Sequence, residues 1–127
     1  MPDIKINIGD ENFNATLEEE SAPKTVAEIL KVLPIEGSCR TWGDEFYFPI
    51  PISVKLENAV ESVSIGDLAY WPQGNAFCIF YGKTPMSNDE DEIIPASPVN
   101  PVGQIESPQR LKSHESGEDI QISLVKD

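Results

Sequence analysis

Short segments in which every second residue is apolar, separated by turn residues, constrain this chain more than any other feature. Near the start, Ile4, Ile6 and Ile8 alternate with polar residues, and the segment 118–126 repeats the pattern near the end. A period of two is that of a β-strand with one face against a core. The chain is therefore predicted to be mainly β.

Turn residues between these segments indicate how the strands pair. The sequence Gly-Asp-Glu-Asn at 9–12 leads into a second alternating segment at 12–18, which predicts a β-hairpin. The segments 67–72 and 75–82 are the most apolar strands, and a Pro-Gln-Gly-Asn turn joins them. Further strands are predicted at 37–43, 45–54 and 102–106. The total of about eight strands is typical of a closed barrel or a two-sheet sandwich.

One segment has the period of a helix instead. Four apolar residues from Val26 to Leu33 lie at positions i, i+3, i+4 and i+7, which places them on one helical face. Ser21 is the predicted N-cap, and Pro34 marks the end. A single helical turn is predicted near 107–114. We expect one main helix beside the strands.

Composition excludes several classes of partner. The 127 residues carry a formal net charge of -13, which disfavours nucleic acid and anionic membrane surfaces because both attract clustered cations. No apolar run reaches the ~18 residues of a membrane span. The start of the chain does not resemble a signal peptide. We expect one cytoplasmic domain over residues 1–127.

The residues that most often hold metals or attack substrates are sparse. Cys39 and Cys78 are far apart in sequence and are expected to be free thiols. His114, the single histidine, lies in a polar segment and is expected at the surface. The acidic run 88–92 lacks the spacing of a calcium loop and is expected to be solvated. No metal site and no cofactor are predicted.

The order of motifs resembles that of cyclophilins. The segment 22–30 resembles the start of their first helix, 74–86 resembles a strand that leads into a Lys-Thr loop, and 118–127 resembles the closing strand. The closer resemblance is to an atypical cyclophilin-like family of bacteria and archaea. Its recurrent pieces appear here as TWGDEFYF, GDLAYWPQGNAFCIFYGKTPMS and IIPASPVNPVGQI. The resemblance implies a single cyclophilin-like closed antiparallel β-barrel of about eight strands with one main α-helix.

The resemblance also implies where a prolyl isomerase site would lie. Arg40 stands about where cyclophilins have the arginine that stabilises the twisted amide, and Phe48 stands where they have an aromatic floor. Cys78 replaces a cyclophilin phenylalanine, and Met86 replaces a tryptophan. Arg40 is thus the catalytic residue if the chain is an isomerase.

The residues themselves suggest a cleft with two parts. Arg40 and Trp42 are two apart on a predicted strand and share a face, so they are predicted to form a ligand wall. The alternative is that Arg40 pairs with Asp44 or Glu45.

At the loop end of a later strand, the hydroxyl groups of Tyr81 and Thr84 are predicted to orient a ligand while Met86 adapts to it. The alternative is that the aromatic residues of this strand pack in the core. The full predicted lining is Arg40, Trp42, Tyr47, Phe48, Phe77, Tyr81, Thr84 and Met86.

Three functions remain open from the sequence. The first is a module that binds a peptide segment or small molecule without efficient catalysis. The second is a diverged peptidyl-prolyl cis-trans isomerase, and the third is an interaction subunit whose exposed aromatic edge packs against another protein.

Overall fold

The computed structural model describes residues 2–89 and 92–125, which form one nine-stranded antiparallel sheet with an α-helix and a short 3₁₀ helix. The strands are β1 Asp3–Ile8, β2 Glu11–Leu17, β3 Ile35–Ser38, β4 Arg40–Thr41, β5 Glu45–Pro49, β6 Asp67–Trp71, β7 Ala76–Phe80, β8 Asn100–Ile105 and β9 Asp119–Leu124. Helix α1 spans Pro23–Val32, and the 3₁₀ helix spans Pro108–Ser113. Within these ranges no helix is long and apolar enough to cross a membrane.

The sheet curls into a nearly closed barrel. Its strand order is β3-β9-β1-β2-β8-β6-β7-β5-β4. Cys39 alone separates β3 from β4, yet β3 pairs with β9 and β4 pairs with β5, so the two ends of the sheet meet at this residue. The predicted mainly β barrel with one main helix is confirmed. It has nine strands because the strand predicted at 37–43 divides at Cys39.

The barrel interior is filled by the alternating residues that the sequence analysis identified. Ile4, Ile6 and Ile8 are fully buried, and Ile6 pairs with Phe13 across the predicted β1–β2 hairpin. Both cysteines are buried free thiols, as predicted.

A second apolar cluster lies outside the barrel, on the outer face of β6 and β7. Residues 93–99, here called the cover segment, fold over this face. Antiparallel bridges between Val63 and Ile93 and between Val60 and Val99 hold the cover segment in place. As a result, β7 is buried on both faces.

Helix α1 is capped by a residue far away in sequence. Ala22 occupies the N-cap position and has no side-chain acceptor, so the prediction of Ser21 as N-cap is wrong. The carboxylate of Glu57 accepts the N–H groups of Lys24 and Thr25 at 3.0 and 2.9 Å. A carboxylate at this end also complements the helix dipole.

His114, predicted to be a surface residue, lies at the surface but is more shielded than the polar segment suggests. Its side chain is only 10% exposed, with Nδ1 3.0 Å from Glu118 and Nε2 2.7 Å from Glu11. The ring also meets Phe13 edge-on. The 3₁₀ helix explains this shielding, because it brings the histidine over the β1–β2 hairpin, where Arg110 also pairs with Glu11.

Candidate functional site

A small pocket of about 230 Å³ opens on the outer face of the barrel, between β5, the end of β6 and the cover segment. We call it the aromatic pocket. Its lining residues are Trp42, Glu45, Tyr47, Trp71, Pro95, Ala96 and Val99.

Strand alternation positions the floor of the aromatic pocket. Glu45 and Tyr47 are two apart on β5, so both side chains point away from the barrel interior, whereas Phe46 between them is part of the core. Tyr47 is directly opposite Cys78 of β7, which places the Cys78 thiol on the same outer face.

A tight turn brings Trp42 beside this floor. The N–H of Trp42 donates to the carbonyl of Glu45 at 3.0 Å. Gly43 within the turn has a φ of +62°, and a Cβ there would lie 2.7 Å from the carbonyl oxygen of Lys83. Only glycine satisfies both conditions, since L-residues disfavour positive φ and the neighbouring backbone leaves no room.

The indole of Trp71 is fixed from three sides. Its Nε1–H donates to the hydroxyl of Ser97 at 2.6 Å. Its ring packs edge-on against Tyr47, with centroids 6.4 Å apart and an interplanar angle of 82°. The ring also lies over Gly74, where a Cβ would come within 2.5 Å of it. A rigid aromatic surface therefore forms one side of the pocket.

Hydroxyl groups of the turn after β7 hold the cover segment that forms the opposite wall. Thr84 Oγ1 donates to the carbonyl of Ile94. Ser87 Oγ accepts the N–H of Ile94 at 3.0 Å and that of Thr84 at 3.1 Å. The turn after β7 is thereby tied to the cover segment, which positions this wall of the pocket.

Glu45 is the unusual residue of the pocket because it is a carboxyl only 6% exposed. Burial raises its pKa to about 7, and a hydrogen bond with the Cys78 thiol opposes that rise. Burial and the neighbouring Glu45 charge raise the pKa of Cys78 well above its usual value. Near neutral pH, Glu45 is therefore present in both its protonated and its ionised form, whereas Cys78 is a thiol.

Comparisons with known proteins agree with this architecture. The sequence profile of the family described as Cyclophilin-like matches residues 2–123. The chain belongs to the cyclophilin-like family. The comparison with curated proteins finds no match.

Two solved structures resemble this cyclophilin-like chain. The solution structure of the hypothetical protein AF2241 from Archaeoglobus fulgidus is 40% identical, with a TM-score of 0.83, and the match covers 98% of this chain and 95% of AF2241. The structure of McbB in complex with tryptophan is 18% identical, with a TM-score of 0.69. That match covers 98% of this chain but 46% of McbB, and at this identity it shows the fold alone.

Three of the predicted site residues of the cyclophilin-like chain lie at or beside the aromatic pocket. Trp42 and Tyr47 line it. Arg40 is exposed and directly opposite Tyr47, so it shares the outer face. Among residues 2–89 and 92–125, Arg40 forms no ion pair with Asp44 or Glu45.

Three other predicted lining residues lie inside the barrel. Phe48 packs against Phe77, with centroids 6.1 Å apart, and Tyr81 stacks on Phe46 at 5.0 Å. All four rings belong to the interior cluster, on the opposite side of the sheet from the aromatic pocket.

The last two predicted residues belong to the turn after β7. Thr84 is buried and its hydroxyl is bonded to the cover segment, so it supports the pocket wall without lining it. Met86 is 54% exposed and does not line the pocket. Sequence reasoning did not assign Glu45, Trp71 or residues 95–99 to the site.

Larger grooves lack comparable chemistry. One of about 560 Å³ follows β3 and β9 and has no aromatic side chain in its lining. Another of about 650 Å³ runs along α1 between exposed charged residues such as Lys24 and Lys31. The aromatic pocket alone among these three combines aromatic rings with a buried ionisable group.

Proposed function

We propose that this cyclophilin-like protein is a non-catalytic binding module that holds a small molecule, or one side chain of a peptide, in the aromatic pocket. The observation that carries the proposal is the convergence of two indoles, one phenol and one buried carboxyl on a single cavity. Pockets for drug-sized ligands have about 300–1,000 Å³. A volume of about 230 Å³ therefore suits a fragment-sized group.

The protonation states favour binding over nucleophilic chemistry. A reactive cysteine is a thiolate with access to substrate, whereas Cys78 is buried with a raised pKa. Glu45 and Tyr47 are the titratable groups in the lining. The single histidine of the chain pairs with Glu11 and Glu118, and neither of these lines the pocket.

Intrinsic fluorescence tests the proposal directly, because Trp42 and Trp71 are the two tryptophans of the chain and both line the pocket. We would titrate the full chain with neutral aromatic fragments, tryptophan, short proline-containing peptides and organic amines. We expect a saturable change in emission with at least one member of this panel.

A matched pair of variants locates the response. Ala96→Leu places extra volume in the pocket, whereas Ala27→Leu adds the same volume on the exposed side of α1. We expect Ala96→Leu to abolish the emission change and Ala27→Leu to retain it. A response that survives Ala96→Leu, or no response to any panel member, contradicts the proposal.

A diverged prolyl isomerase is the second candidate. The position of Arg40 opposite Tyr47, on the face that carries the pocket, favours it. The interior location of Phe48 and Phe77 removes two rings from the expected proline pocket. Wild type that catalyses isomerisation of a proline peptide, with activity lost in Arg40→Ala, would replace the non-catalytic proposal. No catalysis by the wild type removes this candidate.

A further inference from the structure

We propose that the group held in the aromatic pocket is an alkylammonium ion, surrounded by the rings of Trp42, Tyr47 and Trp71 with its charge against the carboxylate of Glu45. This inference rests on the proposed function and names the class of ligand.

The first support is the lack of a cationic partner for Glu45. A buried carboxylate is costly unless a charge or hydrogen bonds compensate it. In the described ranges, each ion pair uses Glu28, Glu11 or Glu118, and none uses Glu45. The seven lining residues include no lysine, arginine or histidine. A cation that enters the pocket would therefore meet a carboxyl that has a hydrogen bond with the Cys78 thiol but no counter-ion.

The second support is the orientation of the rings. Cations are attracted to the faces of aromatic rings, most strongly to tryptophan, and methylated ammonium groups are bound in boxes of such rings. Tyr47 and Trp71 are nearly perpendicular, at 82°, so they form two adjacent sides of a box. Trp42 lines the same cavity, and Pro95, Ala96 and Val99 offer apolar contacts to alkyl substituents.

Charge selects a cation over a neutral ligand of the same shape. The formal net charge of -13 attracts cations to the protein as a whole. At the pocket itself, a neutral group would leave the Glu45 carboxyl without a counter-ion. An alkylammonium ion adds both the Coulomb attraction and the cation–π contacts.

Binding should be linked to release of a proton. Burial raises the pKa of Glu45 to about 7 in the free protein, and a bound cation favours the carboxylate. The other titratable or charged groups on this outer face are Tyr47 on β5, Cys78 on β7, Asp67 at the start of β6 and Arg40 on β4, while the cover segment has none. Affinity for a permanently charged ammonium should rise about tenfold per pH unit below 7 and level off above it.

Choline and 3,3-dimethylbutan-1-ol test the inference because they have the same shape and differ in charge. Tryptophan fluorescence and calorimetry would measure their binding to the full chain at pH 5.5 and pH 8.5. We expect choline to bind about tenfold or more tightly than the neutral alcohol at pH 8.5, and to weaken at pH 5.5. A peptide with trimethyllysine supplies the same group from a side chain. Tighter binding of that peptide would identify a modified protein as the source, and tighter binding of choline a free ion.

Glu45→Gln and Glu106→Gln form the matched variants, since each removes one negative charge and Glu106 is an exposed residue outside the pocket. We expect the first to remove the preference for choline and its pH dependence, and the second to leave both. Equal weakening by the two variants would assign the effect to general charge and overturn the inference.

The outcomes separate this inference from the proposed function. If the neutral alcohol binds as tightly as choline, and Ala96→Leu abolishes both, the pocket is a binding site but not a cation site. If choline, the alcohol and the trimethyllysine peptide all fail while another panel member binds, the alkylammonium class alone is overturned. If no probe binds, both proposals fail.

Discussion

The indole N–H of Trp71 donates a 2.6 Å hydrogen bond to the hydroxyl of Ser97, which ties the end of β6 to the cover segment. This single contact fixes the indole and also positions the facing wall of the aromatic pocket. The indole nitrogen donates hydrogen bonds but does not accept them, so it needs an acceptor such as this hydroxyl.

Ser97→Ala should therefore leave a half-buried donor unsatisfied. We expect a loss of about 1–2 kcal/mol in the free energy of unfolding, together with weaker binding at the pocket. Urea unfolding measures the first effect, and Ser116→Ala, at an exposed serine, is the control. Equal stability of the two variants would show that the bond does not stabilise the wall.

Glu45→Gln should change how stability depends on pH. The folded pKa of Glu45, about 7, lies above its ordinary value of 4.5, so the folded state binds the proton more tightly than the unfolded chain does. The contribution of Glu45 to the free energy of unfolding therefore falls as pH rises from 4.5 to 7, by up to about 3 kcal/mol at about 1.4 kcal/mol per pH unit. The glutamine variant lacks this loss, so its free energy of unfolding should rise relative to that of the wild type between pH 4 and pH 8.

Urea unfolding at several pH values measures that gain. His114 titrates in both proteins, so its contribution cancels in the difference. Glu106→Gln, which removes an exposed carboxyl outside the pocket, is the control. A stability difference for Glu45→Gln that depends on pH no more than that for Glu106→Gln would mean that Glu45 ionises normally.

Thr84→Val should loosen the cover segment while the barrel stays folded. Valine keeps the shape but removes the hydroxyl that bonds to Ile94, which leaves that carbonyl without its partner. We expect a cost of about 1–3 kcal/mol and faster hydrogen exchange at the amides of Ile93 and Ile94. Unchanged exchange at these two amides would contradict the role given to Thr84.

Much of the fold was predictable from local pattern. The β1–β2 hairpin and α1 follow from alternation and helical spacing, which depend on neighbouring residues alone. The division at Cys39 was not predictable, because it arises where the two ends of the barrel meet, between β9 and β5. The capping role of Glu57 was missed for the same reason, since 33 positions separate it from Lys24.

The site was only partly predictable, because its strands are covered on both faces. In β7 each residue is buried, so no polar alternation reveals which side faces the interior, and a shift by one residue exchanges the faces. Phe77 was therefore assigned to the cleft although it lies inside the barrel, and Trp71 was not assigned to the site although it lines the pocket. Glu45 could have been assigned to the site from the sequence, because it is a charged residue two positions before Tyr47 in an apolar strand. Pro95 and Ala96 could not, because the cover segment is irregular and has no periodic pattern.

The cap of α1 can be tested by mutation, because the structure and the sequence assign it to different residues. The carboxylate of Glu57 accepts two backbone N–H groups at the start of the helix, whereas Ser21 accepts none of them. We expect Glu57→Ala to cost about 1–2 kcal/mol and Ser21→Ala less than about 0.5 kcal/mol. Thermal or urea unfolding compares the two, and a larger effect of Ser21→Ala would contradict the described cap.

The central claim is that the aromatic pocket is a ligand site, and NMR of the two indole N–H groups tests it most directly. Each signal reports on one pocket wall, and a ¹³C label on the side-chain carboxyl of Glu45 reports on the floor. We predict that at least one panel ligand shifts all three signals of the full chain and leaves the amide of Ala27 on α1 unmoved. If every ligand leaves both indole signals in place, or shifts α1 instead, the pocket is not the binding site.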